Sequence, residues 1–385
     1  MGTLRLQQDR LQWASSTAVA AWSAFDAQLV IYAGLLAGMG LVMAYTNSYE
    51  QGISPLTPGS TFTRGLIWVA LAIVAFILAA AFDYRWLKTF AWPLYFVNLG
   101  LLVLSLAIGT GVGGSSRWIS IFGMQFQFSE LAKVLMAVVL ANWMTSRTDH
   151  TGSLLTILGA VILLTPAIVL VAMQPDLGTS LVFAAMLVGT LFVSGASLRW
   201  MAVLGASAIA AIPFAWAYLL RDYQKQRLIS FLDPTADPQG SGFHVLQSML
   251  AVSSGGAFGR GLTNGAGSAA ATLPVQSTDF VFAILAEELG LLGALVVFVL
   301  FAALIWRVLL AAWRSEDPFG LSFAAAIASM LLFQVLVNVG MTVGIMPVTG
   351  IPLPFITHGG ASLISIALGL GVLQSINLRQ VRPKW

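Results

Sequence analysis

Long apolar stretches separated by short polar breaks run along almost the whole chain. A helix needs about 20 mostly apolar residues to cross the hydrocarbon core of a bilayer. Ten stretches meet or approach that length: Ala27–Thr46, Gly65–Phe82, Phe90–Gly109, Ser129–Thr145, Leu154–Val171, Gly178–Ser194, Met201–Leu220, Phe280–Trp306, Leu321–Gly344 and Ala361–Leu378. The pattern predicts an all-α polytopic membrane protein of about ten transmembrane helices. The fourth and sixth stretches are short, which suggests tilt, packing or partial re-entry, and the eighth is long. Residues 1–26 form an N-terminal segment in which Arg5, Asp9 and Arg10 accompany Trp13 and a short apolar run. It has no clear cleavage pattern and suggests an interfacial helix. Residues 27–378 read as one integral-membrane domain, 221–279 as a long loop within it, and 379–385 as a tail.

Composition agrees with the pattern. The chain is 58% hydrophobic with mean hydropathy +0.88, and 9% of its residues are charged, against roughly 25% in a soluble domain. The absence of cysteine excludes disulfides, thiolate metal sites and cysteine nucleophiles. A net charge of +3 is too small to argue for nucleic acid, so where the basic residues fall matters more. With the N-terminus inside, Arg5, Arg10, Arg85, Lys88, Arg147, Arg199, Arg307, Arg314, Arg379, Arg382 and Lys384 lie on inner segments, and the short outer loops hold only Arg64 and Arg117. The positive-inside bias therefore predicts that both termini are cytoplasmic.

On that orientation the unusual polar residues gather on the outer side. Asp279 stands where the long outer loop meets the eighth span, in a chain that carries little charge. An Asp before an apolar helix is a favoured N-cap, and a capping carboxylate is a weak proton acceptor. Ser277 and Thr278 could do that job instead and leave Asp279 to face a groove. The loop itself is too long for a simple connection. It contains a partly amphipathic stretch, Phe243–Ala257, with His244, Gln247 and Ser248 interleaved. It also carries a glycine run, Gly255–Gly261, that permits close backbone approach. Arg221, Lys225 and Arg227 suit either anionic headgroups or a diphosphate, for which Arg offers a bidentate fork.

Glu130 and Lys133, nearly one helical turn apart, face the same way, as a structural ion pair or as functional groups in the membrane. Asp176 follows Pro175 and reads first as a helix cap. Glu287 and Glu288 point about 100° apart, so at most one of them should face a given groove. His358 is isolated, a poor metal signal.

Several of these stretches, in order, resemble the SEDS family of integral-membrane peptidoglycan glycosyltransferases. They are Arg117-Trp118-Ile119 with Ser129–Lys133, Gln174–Thr179, Tyr223–Pro234, Gln247–Gly259, Thr278–Gly290 and Pro347–Phe355. Tyr223-Gln224 and Asp233-Pro234 look more like the elongation (RodA-like) branch than the division (FtsW-like) branch. The resemblance implies polymerisation of lipid II into glycan strands outside the bacterial cytoplasmic membrane, with Asp279 as the catalytic acidic residue. It marks Glu130 and Lys133 as an important pair and Asp176 as a neighbour of the cavity, and it implies a class B penicillin-binding protein as crosslinking partner. Arg221, Lys225, Arg227 or Lys133 would steady the diphosphate. No dedicated metal site is expected, though a divalent cation, Mg or Mn, could rest on the substrate phosphates.

The chain departs from the family pattern at Phe128, where Pro is common, at Val275, where Glu is often found, and in Thr357–Ser362. A flippase of lipid-linked precursor and a non-catalytic scaffold for a crosslinking enzyme are the rival classes.

Overall fold

The computed structural model describes residues 24–50, 52–112, 115–121, 124–234, 242–263, 279–357 and 359–379. The suggested interfacial helix before residue 24, the tail beyond 379, Val275, Ser277, Thr278 and His358 lie outside them. The membrane-length helices are α1 (Ala27–Glu50), α2 (Thr61–Ala81), α4 (Ala91–Ile108), α5 (Phe128–Thr145), α6 (Leu154–Met173), α8 (Leu198–Phe214), α11 (Val281–Arg314), α12 (Pro318–Thr342) and α13 (Gly360–Arg379). Among the described residues nine helices are long and apolar enough to cross a membrane, counting α8 with the turn that follows it. A tenth apolar helix, α7 (Leu177–Val193), is shorter. Three further helices lie outside the spans: α3 (Tyr84–Thr89), α9 (Asp222–Leu232) and α10 (Phe243–Ser254).

One feature was not expected. The connection between α4 and α5 carries three short antiparallel strands, β1 (Thr110–Val112), β2 (Ser115–Ile121) and β3 (Met124–Phe126), in the order β1-β2-β3. Their brevity and their Gly and Ser content leave no long hydrophobic alternation to read.

Helix ends follow local chemistry. Ser60 accepts from Thr63 N, Asp83 from Arg85 N, and Asp317, just before Pro318, from Phe319 N. Each side chain satisfies a first-turn N–H that has no partner inside the helix. The interior of the bundle is built on α5, α12 and α13, which are largely buried. Helices in a bilayer pack closely where small residues allow it, and glycines mark those places: Gly371 of α13 lies against Phe76 and Ala79 of α2, and Gly189 of α7 against Ser329 of α12.

The opposite case is α8, in which no residue is buried. Pro213 near its end lacks an N–H, and the chain continues as a π-helical turn, Ala215–Leu219. The bundle is therefore open along this helix.

The long α11 is broken at Gly290 (φ 67°, ψ −166°). The glycine run of the long loop fills the break. Leu291 N and Leu292 N donate to Gly256 O and Ala257 O, while Arg260 N and Gly261 N donate to Glu287 O and Glu288 O. A side chain on Gly259 or Gly290 would collide with the backbone of the other segment. Glu287 and Glu288 stand just before the break. Both engage this turn: Glu287 accepts from Ser254 Oγ (3.0 Å) and pairs with Arg260 (3.3 Å), and Glu288 accepts from Thr263 N (3.4 Å). Wrapped around the break, the turn reaches both helix faces.

Candidate active site

The segment between α12 and α13 forms the floor of the site. Asn338, buried on α12, donates through Nδ2 to Ile351 O (2.8 Å) in that segment and to Asp279 O (3.0 Å). One amide thus joins the floor to the turn that begins α11. Gly350, at φ +75°, passes directly under the carboxylate; a Cβ there would stand 3.4 Å from Asp279 Oδ2. On the other side the floor rests on α7, where Gly178 leaves room for Thr349 and Ile351.

Asp279 is half-buried. The N-cap position of α11 is held by the next residue, Phe280, which makes no side-chain cap bond. Above it, α10 is fastened to the end of α12 by Ser248 Oγ donating to Thr342 O (2.9 Å). This brings His244 onto Phe280, with ring centroids 6.1 Å apart and planes at 19°. The buried Nδ1 of His244 has no hydrogen-bond partner. Burial, and then the positive charge of Arg227, push its imidazole below the usual range, while Asp279 pulls it the other way. The neutral imidazole therefore sits in the field of both a carboxylate and a guanidinium.

The second wall is α9. Tyr223 Oη donates to Pro175 O (3.3 Å), which sets α9 across the start of α7. Arg227 then reaches the floor, its Nη1 donating to Val348 O (3.4 Å), with its guanidinium carbon 5.8 Å from the Tyr223 ring centroid. Of the three basic residues of the long loop expected to meet a diphosphate, Arg227 is the one fixed beside the floor. Arg221 is exposed at the N-cap of α9 and Lys225 is half-buried on the same helix.

Asp176 caps α7. It accepts from Thr179 N (3.0 Å), Thr179 Oγ1 (3.0 Å) and Gln127 Nε2 (2.9 Å), and it is buried. It supports the floor from beneath, through α7. Glu130 and Lys133 form a buried ion pair at 2.8 Å, with side chains 4% and 1% exposed. Lys133 thus offers no ammonium to a ligand outside, and its expected role at the diphosphate is corrected: its charge is held by Glu130. Among the described residues no three His, Asp or Glu side chains converge as metal ligands.

Residues 27–381 match the family model described as "Cell cycle protein", that of FtsW, RodA and SpoVE. The chain belongs to this SEDS family. It is 38% identical over 349 residues to the peptidoglycan glycosyltransferase MrdB of Escherichia coli strain K12, covering 91% of this chain and 92% of that one. It is 34% identical over 359 residues to stage V sporulation protein E of Bacillus subtilis, covering 91% and 96%. The structure resembles a chain solved in work on the structural coordination of polymerization and crosslinking by a peptidoglycan synthase complex, with TM-score 0.77, 31% identity and coverage of 93% and 99%. It also resembles the rod shape determining protein RodA of Thermus thermophilus, with TM-score 0.68, 26% identity and coverage of 94% and 99%.

Within this SEDS protein, Asp279 and Arg227 are the sequence-derived candidates that meet at one site. His244, Asn338 and Gly350 were missed as site residues. For His244 a signal was available: it is one of only three histidines in the chain.

Proposed function

We propose that this protein is a peptidoglycan glycosyltransferase that polymerises lipid II on the outer face of the cytoplasmic membrane, with both termini inside. The observation that carries the catalytic assignment is the position of Asp279. Its carboxylate lies over the floor at Gly350, with Arg227 anchored to that floor at Val348. A sugar hydroxyl becomes an adequate nucleophile when its proton leaves in the transition state, which a positioned carboxylate can accept. Asp279 takes the acceptor hydroxyl proton as the oxygen attacks the anomeric carbon of the donor. The bond to the lipid diphosphate breaks, and Arg227 offsets the charge that develops on the departing phosphate. One such displacement at an α-linked donor inverts it to a β linkage. A divalent cation, if one takes part, rests chiefly on the substrate phosphates. The lack of packing along α8 supports sideways entry from the bilayer, which a substrate with a long lipid tail requires.

The elongation role and a class B penicillin-binding protein as crosslinking partner complete the reading. The likeness to a chain of a peptidoglycan synthase complex supports that partner. A flippase would move lipid between leaflets without polymer, which reconstituted vesicles distinguish.

The decisive test is purified Asp279→Asn with lipid II. The change keeps shape and removes basicity, so turnover should fall by about 10²–10⁴-fold, the usual contribution of general acid–base catalysis, with the unfolding temperature unchanged. Near-normal polymerisation by this variant would reject the assignment.

A further inference from the structure

On the face opposite Asp279, where α5 ends, a cavity of about 250 Å³ opens between α4, α5 and α6. At the helix ends it is lined by Trp92 in the first turn of α4 and by Asn142, Ser146 and Arg147 at the close of α5; the apolar Val139 of α5 and Leu163 of α6 lie farther along their helices. Arg147 lies over the Trp143 ring at 3.3 Å from the centroid and donates through Nη1 to Ser146 Oγ (3.0 Å). The Trp143 indole in turn donates to Thr156 O (3.0 Å), which fixes the surface on which the guanidinium rests. A guanidinium has five N–H donors, and stacking leaves its edge available. No carboxylate pairs with Arg147 among the described residues; the nearest acid in sequence, Asp149, is exposed. The Asn142 side chain has no hydrogen-bond partner there either.

We infer that this cavity binds the phosphate of an anionic phospholipid from the leaflet opposite the active site, with the start of one acyl chain along Val139 and Leu163. Three features select this ligand. The polar groups lie at the helix ends, where headgroups sit, and the apolar wall continues towards the bilayer centre. That is the polarity of a lipid and the reverse of what a soluble phosphate ester needs. The volume falls short of the roughly 300–1,000 Å³ typical of whole-ligand pockets, so it suits a phosphate and a few methylenes while the rest of the lipid stays in the bilayer. Basic pockets between helices on the cytoplasmic side are a recurrent mode of anionic headgroup recognition, and Arg matches phosphate oxygens through paired N–H groups.

The test uses the full chain, delipidated in neutral detergent, with dioleoyl phosphatidylglycerol, dioleoyl phosphatidylcholine or glycerol 3-phosphate added. Lipid adducts are followed by native mass spectrometry alongside the unfolding temperature. Wild type should retain phosphatidylglycerol in preference to phosphatidylcholine. Arg147→Gln should weaken that retention about five-fold, the factor one basic residue supplies near an anionic surface. Arg314→Gln, an exposed cation at the same end of the bundle, should leave it unchanged. Asn142→Leu, which keeps the charge and makes the mouth apolar, should also reduce retention, so the inference does not hang on one variant. Equal loss in the Arg147 and Arg314 variants would make the effect general surface charge and overturn the site. Equal retention of phosphatidylcholine would overturn the anionic preference, and full stabilisation by glycerol 3-phosphate alone would overturn the lipid assignment.

Discussion

Replacing Lys133 by Met tests the physical reading of the buried pair. Glu130 and Lys133 lie 2.8 Å apart with 4% and 1% of their side chains exposed. At an effective dielectric near 20, such charges attract by about 6 kcal/mol. Taking each ion out of water costs several kcal/mol, so the pair as a whole comes out close to neutral. Removing one partner is different, because it strands the other. Lys133→Met should cost about 3–5 kcal/mol, a large part of a net stability of roughly 5–15 kcal/mol. Glu130→Gln should cost a similar amount. The double variant Glu130→Gln/Lys133→Met should recover most of the loss, giving a coupling of several kcal/mol between the two changes. Thermal unfolding in detergent of all four proteins measures this, with lipid II turnover measured on each folded variant. If the double variant loses the sum of the single losses, the pair is not coupled and the argument fails. If the double variant is stable yet inactive, the charges serve catalysis as well as folding.

Other outcomes follow from the same geometry. His244 has a folded pKa below its unfolded value near 6.5, so between the two the unfolded chain binds more protons and stability rises with pH. The unfolding temperature should drop as pH falls below about 6.5 through the folded value; Arg227 and Asp279 are the charges facing the ring, and a profile unchanged in His244→Gln would refute this. Asp176→Asn should set one amide against that of Gln127 and cost about 1–3 kcal/mol, seen as a lower unfolding temperature. Gly259→Ala, at φ +79° and against the Glu288 carbonyl, should cost more than about 1 kcal/mol and expose the 254–263 turn to proteolysis; wild-type resistance would contradict the close approach.

Much of this molecule was legible in its sequence, for reasons that differ between parts. The spans followed from length and hydropathy, which the bilayer enforces. Hydropathy does not say which helix touches which, so the isolation of α8 could not be read even though its span could. The break at Gly290 was hidden inside a stretch that hydropathy reads as one span, and the Gly255–Gly261 turn that fills it lies some thirty residues away. Asp279 and Arg227 announced themselves as charges in a chain with few. Lys133 did so too, but spacing alone does not decide whether an ammonium faces a ligand or its own Glu130. Gly350 and Asn338 carry no chemistry of their own in a sequence; their importance comes from what they touch.

The double hydrogen bond of Asn338 has a consequence for how this site tolerates change. Asp279 takes its backbone coordinate from α12, deep in the bundle interior, through a clamp that follows the long loop in the chain. A change of length elsewhere in the loop before Asp279 should therefore leave in place the hydrogen bond that holds its carbonyl, 3.0 Å from Asn338 Nδ2.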